Sequence, residues 1–378
     1  MKVLVTGANG FIGKNLIAHL QEKDDIEILK FDIDTPFQLI EDNIDSINFI
    51  YHLAGVNRPK DNSEFFKGNT DLTKRILDLI IERKKSIPFL ITSSIQAVRD
   101  NDYGKSKKLA EDEVLKYGVN NPVYVYRLNN VFGKWCRPNY NSVVATFCNN
   151  IANNLDISIS DENAELDLIY IDDIVEEFIK ILYTKKPSNI VENICYIKPT
   201  YKIKLGDLAK KIKSFKESMN SLYVPNTGDE FTKKLYSTYI SYVPMERMVI
   251  DAVKNVDERG SFTELIKTDT AGQMSISFSK PGIIRGNHYH HTKIERFILV
   301  KGHAKITFTN IITKESYQFE VDDKNIKEVT IPVGYTHNIE NIGNDEMILI
   351  IWCNENFNKD RPDTFYKELD YSNIKKII

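Results

Sequence analysis

Histidine and carboxylate side chains concentrate in one stretch of the last third of the chain. Three of the seven histidines, His288, His290 and His291, lie within four residues. His288 and His290 are two residues apart, so on a β-strand both side chains leave the same face. His291 alternates to the opposite face and is not part of this set. The spacing predicts a strand that presents two imidazoles together.

Two further side chains extend this set to four. Glu295 follows at a distance that a short turn and the next strand bring back to the same face, and His337 comes three residues after Gly334. Three imidazoles and one carboxylate suit zinc or another divalent transition metal. We therefore predict a metal site made by His288, His290, Glu295 and His337. A histidine-rich strand that lines a sugar pocket without metal is the alternative.

These residues resemble the two motifs of the cupin family. The matching positions of the two motifs are Gly282, His288, His290, Glu295 and Gly302, then Pro332, Gly334, His337 and Asn341. One position departs from the family motif: the glycine that precedes the proline in the family is Ile326 here. This difference affects a turn and not the metal ligands. The resemblance implies an all-β jelly roll with a metal centre.

A tyrosine and a lysine in the first half suit acid catalysis at a carbonyl group. Tyr103 and Lys107 are one helical turn apart and share a face. They follow a predicted strand, Pro88 to Thr92, that runs into Ser93 and Ser94. A nearby ammonium and a nicotinamide charge would lower the pKa of the tyrosine, and a serine hydroxyl would hydrogen-bond the substrate oxygen.

The chain begins with a strand, a glycine turn and a helix, the arrangement that binds dinucleotides. Predicted strand Lys2 to Thr6 leads into the glycine turn, and a helical pattern covers Asn15 to Leu20. The three glycines permit a tight turn, close approach to pyrophosphate and helix packing. The helix N-terminus then offers free N–H groups to phosphate. The predicted cofactor-binding residues are Gly7, Gly10, Phe11, Ile12, Gly13, Asp32, Ala54, Gly55, Tyr103 and Lys107.

The choice between NAD(H) and NADPH stays open at this stage. Asp32 ends the second predicted strand, Ile26 to Phe31, where an acid favours the free ribose hydroxyls of NAD. Lys30 lies close by, but no arginine follows before Arg58. Ala54 and Gly55 directly follow a third predicted strand, 47–53, and their small size lets them abut the cofactor.

Residues 1–240 resemble the extended short-chain dehydrogenase/reductase family of nucleotide-sugar enzymes. The shared features include the glycine turn, Tyr103 with Lys107, and the segments 130–133 (NVFG) and 170–174 (YIDDI). The resemblance implies a hydride-transfer triad of Ser94, Tyr103 and Lys107, with Asn130 at the substrate. The short interval before Tyr103 leaves Thr92 and Ser93 open as the hydroxyl donor.

An acid pair that dehydratases of this family place after the serine or threonine is missing here. The next residues are Ile95, Gln96 and Ala97. Reduction or oxidation is therefore favoured over elimination of water.

Composition limits the class of protein. The chain has 378 residues, 42% of them hydrophobic, and a formal charge of −3, which gives no reason to expect nucleic acid or an anionic membrane as partner. Its four cysteines have no paired spacing, which favours a reducing cytosol. Apolar runs stay short of the roughly 20 residues that span a bilayer. We expect a soluble cytoplasmic protein.

Two domains of different fold class are predicted. Residues 1–243 form an α/β Rossmann-type unit with a doubly wound parallel sheet and a nucleotide-sugar subdomain. Residues 250–378 form an all-β cupin jelly roll, because short alternating strands replace the helical patterns after a turn-rich break at 225–229. By analogy with other cupins we expect a homodimer formed through this domain.

Arg285, Gly286 and His288 also resemble the active-site strand of cupin-type 3,5-epimerases that act on 4-keto-6-deoxy sugars. A ketone at C4 acidifies the C3 proton, which a base can remove, and a cation stabilises the resulting charge. The base stays open among Tyr335, His291 and a water on the metal. Arg285 is the predicted substrate-binding residue of this strand.

Across nearly the whole chain the sequence resembles the bifunctional capsular polysaccharide epimerase/reductases of the staphylococcal type. Shared segments include TGANGFIG, HLAGVNRP, SSIQA, YGKSK, FGKWCRPNYNSV, LYSTY and RGSFTE. The resemblance implies C3 epimerisation of UDP-2-acetamido-2,6-dideoxy-β-L-arabino-hexos-4-ulose in a zinc cupin. It further implies NADPH-dependent C4 reduction to UDP-2-acetamido-2,6-dideoxy-L-talose, for N-acetyl-L-fucosamine synthesis. The alternatives are a reductase with a non-catalytic cupin used for binding and dimerisation, and a 4-epimerase that retains its NAD.

Overall fold

The computed structural model describes residues 1–59, 61–219, 221–372 and 374–377. It divides into two compact units, one made of Met1–Lys213 with Glu230–Pro244 and the other of Ser214–Asp229 with Met245–Ile378. The predicted division into 1–243 and 250–378 stays a prediction. The structure differs from it in grouping the segment 214–229 with the second unit.

A seven-stranded sheet organises the first unit. Its strands, in spatial order, are β2 (Glu27–Phe31), β1 (Lys2–Thr6), β3 (Phe49–His52), β4 (Phe89–Ser94), β5 (Val123–Leu128), β9 (Ile194–Tyr196) and β8 (Asn189–Val191). All neighbouring pairs are parallel except the last, β9 with β8. The predicted strands of this half are present, with ends that differ by two residues or fewer. A smaller sheet joins β10 (Tyr201–Lys204), β7 (Glu165–Tyr170) and β6 (Asn130–Phe132).

Helices follow the strands along the chain of this unit. They are α1 (Phe11–Leu20), α2 (Gln38–Asn43), α3 (Ser63–Phe66), α4 (Leu72–Glu82), α5 (Asp102–Tyr117), α6 (Val143–Ala152), α7 (Ile171–Thr184), α8 (Leu205–Ser218) and α9 (Glu230–Ile240). Because strand side chains alternate, Val3 and Val5 pack into one core with α1 and α7. Leu4 packs into the other core with α2, α4 and α5. Both faces of the sheet are therefore covered, as a doubly wound fold requires.

The strand order reverses direction between β1 and β3. The chain passes from β1 outward to β2 and then returns to the other side of β1. In open α/β sheets, ligands bind in the crevice at the carboxyl ends of the strands that flank such a reversal. The glycine turn after β1 and the Ala54–Gly55 segment after β3 both lie at this crevice.

Two six-stranded sheets form the second unit. The first joins β11 (Lys254–Asp257), β12 (Gly260–Thr268), β13 (Gly272–Ser279), β20 (Met347–Cys353), β15 (Glu295–Lys301) and β18 (Glu328–Ile331). The second joins β21 (Phe365–Tyr366), β14 (Ile284–Tyr289), β19 (Tyr335–Asn341), β16 (His303–Asn310), β17 (Ser316–Asp322) and β22 (Ile374–Ile377). The pairs are antiparallel except β17 with β22.

A single apolar core joins the two sheets of this unit. Phe297 and Leu299 of β15 pack with Ile306 and Phe308 of β16 and with Ile339 of β19. Each of these side chains takes an inward position in a strand of alternating pattern, which is how a β-sandwich forms its core. The second unit is thus the predicted all-β fold.

Within the parts of the chain that the structure describes, no helix is both long enough and apolar enough to span a membrane.

Candidate functional site

Glycine is required at the turn that follows β1. Gly7 has a φ of +66°, and a Cβ there would lie 2.7 Å from the amide nitrogen of Ala54. A Cβ on Gly13 would lie 2.1 Å from the carbonyl oxygen of Gly7. Gly10 is the N-cap of α1, so the helix begins at Phe11, four residues earlier than the helical pattern predicted. The N-terminus of α1 thus begins directly after the glycine turn, so its free N–H groups are available to a phosphate, and the predicted phosphate contact stays a prediction.

Asp32 lies at the edge of the same crevice. It directly follows β2, and its carboxylate accepts hydrogen bonds from the backbone N–H of Asn9 at 2.7 Å and of Ile33 at 2.8 Å. The side chain is therefore fixed beside the glycine turn, where the adenosine ribose of a dinucleotide is expected. Lys30, inside β2, is exposed.

The predicted triad comes together at the start of α5. Ser94 lies close enough to Tyr103 for its side chain to lower the pKa of the tyrosine, and its hydroxyl accepts from the backbone N–H of Gln96 at 3.1 Å. The buried ammonium of Lys107 donates to the carbonyl oxygen of Thr92 at 3.2 Å, and a Cβ on Gly55 would lie 2.8 Å from Lys107 Nζ. The end of β4, the first turns of α5 and the segment after β3 thus converge at one point. The catalytic roles stay predictions, but the side chains share one place.

Burial dominates the protonation behaviour of both triad members on α5. Burial lowers the pKa of Lys107 to about 8, and the negative charge of Glu111 opposes this shift. Burial raises the pKa of Tyr103, and the hydrogen bond with Ser94 only partly offsets it. The predicted lowering includes the charge of a bound nicotinamide, so it stays a prediction for the protein with its cofactor.

The two alternative hydroxyl donors have other partners. Ser93 donates to Oε1 of Glu111 at 2.6 Å, and the same carboxylate accepts two hydrogen bonds from Arg127, at 2.8 and 2.6 Å. Thr92 is buried, and it is its backbone carbonyl that contacts Lys107. Of the three side chains, Ser94 is the one that acts on the pKa of Tyr103.

Asn69 is a residue at this site that the sequence did not reveal. Its side chain accepts from the backbone N–H of Val56 at 2.9 Å and donates to the hydroxyl of Ser106 at 3.0 Å. It lies in a short π-helix, Lys67–Asp71, of the kind that often occurs at functional sites. Its Oδ1 is 2.9 Å from the position that a Cβ on Gly55 would take. No spacing rule marks this asparagine, because its partners lie on separate elements.

Asn130, the predicted substrate contact of the first unit, is the first residue of β6. It is exposed, and its side-chain amide donates to the carbonyl oxygen of Asp167 at 3.2 Å. Its role at the substrate stays a prediction.

The four predicted metal ligands form one cluster in the second unit. One ligand atom from each of His288, His290, Glu295 and His337 lies within 4.8 Å of all the others. Oε2 of Glu295 is 3.1 Å from Nε2 of His337 and 3.4 Å from Nε2 of His290. His288 and His337 belong to β14 and β19 of one sheet, whereas Glu295 begins β15 of the facing sheet. The cluster therefore closes between the two sheets.

The route by which two histidines reach the cluster differs in part from the prediction. Strand β14 ends at Tyr289, so His290 lies beyond the strand rather than on it. The pairing of β14 with β19 also shifts at Asn287, which has a φ of +58°. This bulge sets His288 opposite His337. His290 lies one residue beyond the strand, but its ring centroid is 5.0 Å from that of His288, while Tyr289 pairs with His291, so the two imidazoles leave on one side as alternation predicts.

The cluster has the chemistry of a divalent metal site. Among the described residues, His290 Nε2 is a buried atom without an aligned hydrogen-bond partner, and it lies 3.4 Å from Oε2 of Glu295. Burial, and then the charge of His337, lowers the pKa of His288 to about 4, so this imidazole is neutral and its lone pair is free. Burial acts to raise the pKa of Glu295, but the two neighbouring imidazoles outweigh it and keep the carboxylate ionised. Three imidazole nitrogens and one carboxylate oxygen are a ligand set that fits zinc.

Arg285 has partners inside the second unit. Its guanidinium donates to the hydroxyl of Ser279 at 2.9 Å and to the carbonyl oxygen of Phe278 at 3.3 Å, and it lies 3.5 Å from Asp257. Its cross-strand partner Ile339 is two residues from His337. Arg285 thus stands on the metal-bearing strand, and its substrate role stays a prediction.

The fold and the two sites together define the class of protein to which the chain belongs. A doubly wound sheet with a glycine turn and a grouped serine, tyrosine and lysine defines a short-chain dehydrogenase/reductase, here joined to an all-β unit.

Comparison with known proteins agrees with this class. The model of the NAD dependent epimerase/dehydratase family matches residues 3–195, and that of the polysaccharide biosynthesis C-terminal domain matches residues 255–365. The chain therefore belongs to the NAD dependent epimerase/dehydratase family.

Two relatives match over the full length. A UDP-2-acetamido-2,6-beta-L-arabino-hexul-4-ose reductase of Pseudomonas aeruginosa is 44% identical, over 97% of this chain and 98% of its own. The crystal structure of the capsular polysaccharide assembling protein CapF from Staphylococcus aureus is 42% identical with a TM-score of 0.89, over 98% and 100% of the two chains. The predicted relationship to the staphylococcal protein and the predicted fold class are confirmed.

A more distant structure shows the fold alone. UDP-glucuronic acid 4-epimerase from Bacillus cereus is 19% identical with a TM-score of 0.54, over 64% of this chain and 99% of its own.

Proposed function

We propose that the first unit reduces the C4 ketone of a UDP-linked 4-keto-6-deoxy-N-acetyl sugar with a nicotinamide cofactor. The grouping of Ser94, Tyr103 and Lys107 beside the glycine turn carries this proposal. The full-length relative named as a reductase of such a sugar supports the substrate, UDP-2-acetamido-2,6-dideoxy-β-L-arabino-hexos-4-ulose or its C3 epimer. The product would be UDP-2-acetamido-2,6-dideoxy-L-talose, for use in capsular or O-antigen polysaccharide.

Each triad member has a separate task in this reduction. The hydroxyls of Ser94 and Tyr103 would hold the ketone oxygen between them. Tyr103 would give its proton to that oxygen as charge develops there, and its raised pKa keeps this proton in place at neutral pH. Lys107, charged below a pKa of about 8, would stabilise the phenolate that Tyr103 leaves behind. The cofactor supplies the hydride that reaches C4. NADPH is the proposed cofactor, with NADH as the alternative that Asp32 favours.

We further propose that the second unit epimerises C3 of the same 4-keto sugar before reduction. The ketone makes the C3 proton acidic, so removal and return of that proton on the other face inverts the carbon. The four-residue cluster would hold Zn²⁺ or a similar divalent cation, and such a cation supplies positive charge beside a ketone oxygen. His288, His290, Glu295 and His337 would be its ligands. Reduction would then trap the epimer, because a reversible step followed by hydride transfer gives one product.

One experiment tests both activities. The purified protein is incubated with the UDP-4-keto sugar and either NADPH or NADH in deuterated water, and the product is read by mass spectrometry. We expect cofactor oxidation together with one deuterium at C3. Oxidation without deuterium would contradict the epimerase proposal and leave the reductase. Deuterium without net oxidation of cofactor would contradict the reductase.

The main rival is a second unit that only binds sugar or a second subunit. The four converging ligand atoms favour a metal centre instead, since packing alone has no need for a buried imidazole nitrogen without a partner. Elemental analysis of protein purified without chelator separates the two. About one divalent metal ion per chain is the expected result, and its loss on chelation should stop deuterium exchange.

We propose that residues 1–243 and 250–378 are the two domains, and that the second mediates a homodimer. The two family models fall inside these limits. One sheet of the second unit also presents a partly exposed apolar outer face, with alternate side chains of β13 and β20: Met274, Ile276, Phe278, Ile348, Ile350 and Trp352. Sedimentation of wild type and Ile350→Lys tests the dimer. A monomeric wild type, or a variant as dimeric as wild type, would contradict this interface.

A further inference from the structure

The turn that carries His290 is held by a residue more than seventy positions downstream. The carboxylate of Asp363 accepts a hydrogen bond from the backbone N–H of His291 at 3.0 Å through Oδ1. Oδ2 accepts from the backbone N–H of Thr292 at 2.8 Å, from the Thr292 hydroxyl at 3.0 Å and from the backbone N–H of Lys293 at 2.8 Å. One carboxylate thus satisfies four donors of a turn that would otherwise leave them to solvent.

The backbone of the same residue contacts the ligand itself. The carbonyl oxygen of Asp363 lies 2.5 Å from Nδ1 of His290. Because a carbonyl oxygen only accepts, Nδ1 carries the proton and Nε2 is the nitrogen with the free lone pair. Nε2 is the buried atom that faces Glu295 within the cluster. The carbonyl of Asp363 therefore selects the tautomer that a metal requires.

The residues on either side of Asp363 add further hydrogen bonds between segment 362–364 and the turn 290–293. Lys293 is buried, and its ammonium donates to the carbonyl oxygen of Pro362 at 2.6 Å and to the hydroxyl of Thr364 at 3.2 Å. The segment 362–364 and the turn 290–293 therefore act as one clamp, with contacts in both directions.

The backbone at Asp363 is itself in an unusual conformation. Its φ is +44°, in the left-handed region that asparagine, aspartate and glycine tolerate best. The conformation turns the carbonyl toward His290 while the side chain reaches the turn.

We propose that Asp363 is a positioning residue for the metal centre: it fixes the 290–293 turn and the His290 tautomer so that Nε2 points at the position the metal would take. This inference rests on the proposed metal centre of the second unit. The hydrogen bonds recorded for Asp363 join it to His290 and to the three residues that follow, so it acts on the cluster through this turn. Partners of this kind, which bond to a metal-binding histidine rather than to the metal, typically change metal affinity by about 10- to 100-fold.

Two substitutions separate the carboxylate from the backbone. Asp363→Gly removes all four side-chain hydrogen bonds while glycine accepts the positive φ without strain. Asp363→Asn keeps the size and the tolerance of positive φ but presents an amide that accepts through one atom only. Asp370→Asn is the matched control, because Asp370 lies in the same C-terminal segment and its side chain accepts hydrogen bonds from Ser372, away from the histidine turn.

The measurement is zinc affinity of the full-length metal-free protein, by competition with a chromophoric chelator. We expect the dissociation constant to rise about 10- to 100-fold in Asp363→Gly, less in Asp363→Asn and not at all in Asp370→Asn. Cobalt(II) serves as a second probe, since its visible absorption reports the geometry of its ligands and should change in Asp363→Gly. Thermal unfolding of each metal-free protein is compared with that of its zinc-loaded form.

The outcomes are distinct. If Asp363→Gly lowers the unfolding temperature of metal-free and zinc-loaded protein equally, with unchanged zinc affinity and cobalt spectrum, Asp363 only stabilises the fold and the inference is wrong. If wild type itself binds neither zinc nor cobalt, the proposed metal centre fails and this inference fails with it. A selective loss of metal affinity supports it.

Discussion

Ser94 lies beside Tyr103 across the junction of β4 and α5, where its side chain acts to lower the pKa of the tyrosine against the effect of burial. The adjacent hydroxyl, that of Ser93, points to the other side of β4 and donates to the buried carboxylate of Glu111. Neighbouring residues on one strand alternate between its faces, so only one of the two serines can reach the tyrosine. Ser94 is therefore the serine proposed to act in catalysis, and Ser93 is the one proposed to stabilise the fold.

Substitution of the two serines should therefore have opposite effects. Ser94→Ala removes a donor to the ketone oxygen, and we expect a fall in kcat of about 10²- to 10³-fold with little change in stability. Ser93→Ala leaves a buried, charged carboxylate short of one hydrogen bond, which costs about 1.5–3 kcal/mol of unfolding free energy. Its folded form should reduce substrate at the wild-type rate. Cofactor oxidation and urea unfolding measure the pair, and a larger loss of kcat in Ser93→Ala would reverse the assignment.

Tyr103→Phe should separate the two proposed activities. Loss of the proton donor should slow cofactor oxidation by about 10²- to 10⁴-fold. Deuterium should still enter C3 from solvent, because that step belongs to the second unit. The readings are absorbance of the reduced cofactor and mass spectrometry of the sugar. Loss of both activities would count against two independent sites.

His290→Gln is the reciprocal variant. Removal of one imidazole should release the metal and stop deuterium exchange at C3, while reduction of a previously epimerised ketone persists. His303→Gln serves as control, since His303 is partly exposed and lies 3.5 Å from the surface residue Glu320. Retention of deuterium exchange in His290→Gln would contradict the role of the cluster.

The features predicted correctly from the sequence are those set by local spacing. The glycine turn after β1 and the one-turn spacing of Tyr103 and Lys107 depend on consecutive residues, so backbone geometry determines them. The convergence of Glu295 and His337 with the two histidines followed from the resemblance to known motifs rather than from spacing alone. Those positions are 42 residues apart and belong to different sheets.

The features missed depend on contacts that no local pattern encodes. Asn69 reaches Val56 across a turn and Ser106 on another helix, and Asp363 reaches the histidine turn from the end of the chain. The bulge at Asn287, which sets His288 opposite His337, has no signal in the alternation of residue types. Burial, which raises the pKa of Tyr103, is likewise a property of the folded protein.

Cofactor preference should respond to Asp32. The carboxylate is fixed beside the glycine turn by Asn9 and Ile33, so its charge stays close to the ribose position. Asp32→Asn removes repulsion of the 2′-phosphate and a hydrogen-bond acceptor for the 2′-hydroxyl. We expect KM for NADPH to fall and KM for NADH to rise, each about tenfold, or about 1.4 kcal/mol. Asp34→Asn, an exposed change in the same loop, is the control. Equal effects of the two variants would show that Asp32 does not face the ribose.

The buried positive charge of Lys107 should lower the stability of the folded protein. Burial lowers its pKa from 10.5 in the unfolded chain to about 8 in the fold. A lysine whose pKa falls on folding binds its proton less tightly in the native state, so it destabilises the fold fully below pH 8. The penalty is relieved as pH rises from about 8 to 10.5. A difference of this size corresponds to about 3 kcal/mol, at 1.36 kcal/mol per pH unit.

Lys107→Met should therefore abolish reduction and yet raise the unfolding free energy at pH 7 by up to about 3 kcal/mol. The gain should shrink between pH 8 and 10, where wild-type Lys107 loses its charge. Urea unfolding across this pH range measures it. Lys108→Met is the control, because Lys108 is partly exposed and pairs with Asp112 at the surface, so its effect should be small and independent of pH over this range. A Lys107→Met protein less stable than wild type at every pH would mean that the contacts of the ammonium with Thr92 and Glu111 outweigh its burial.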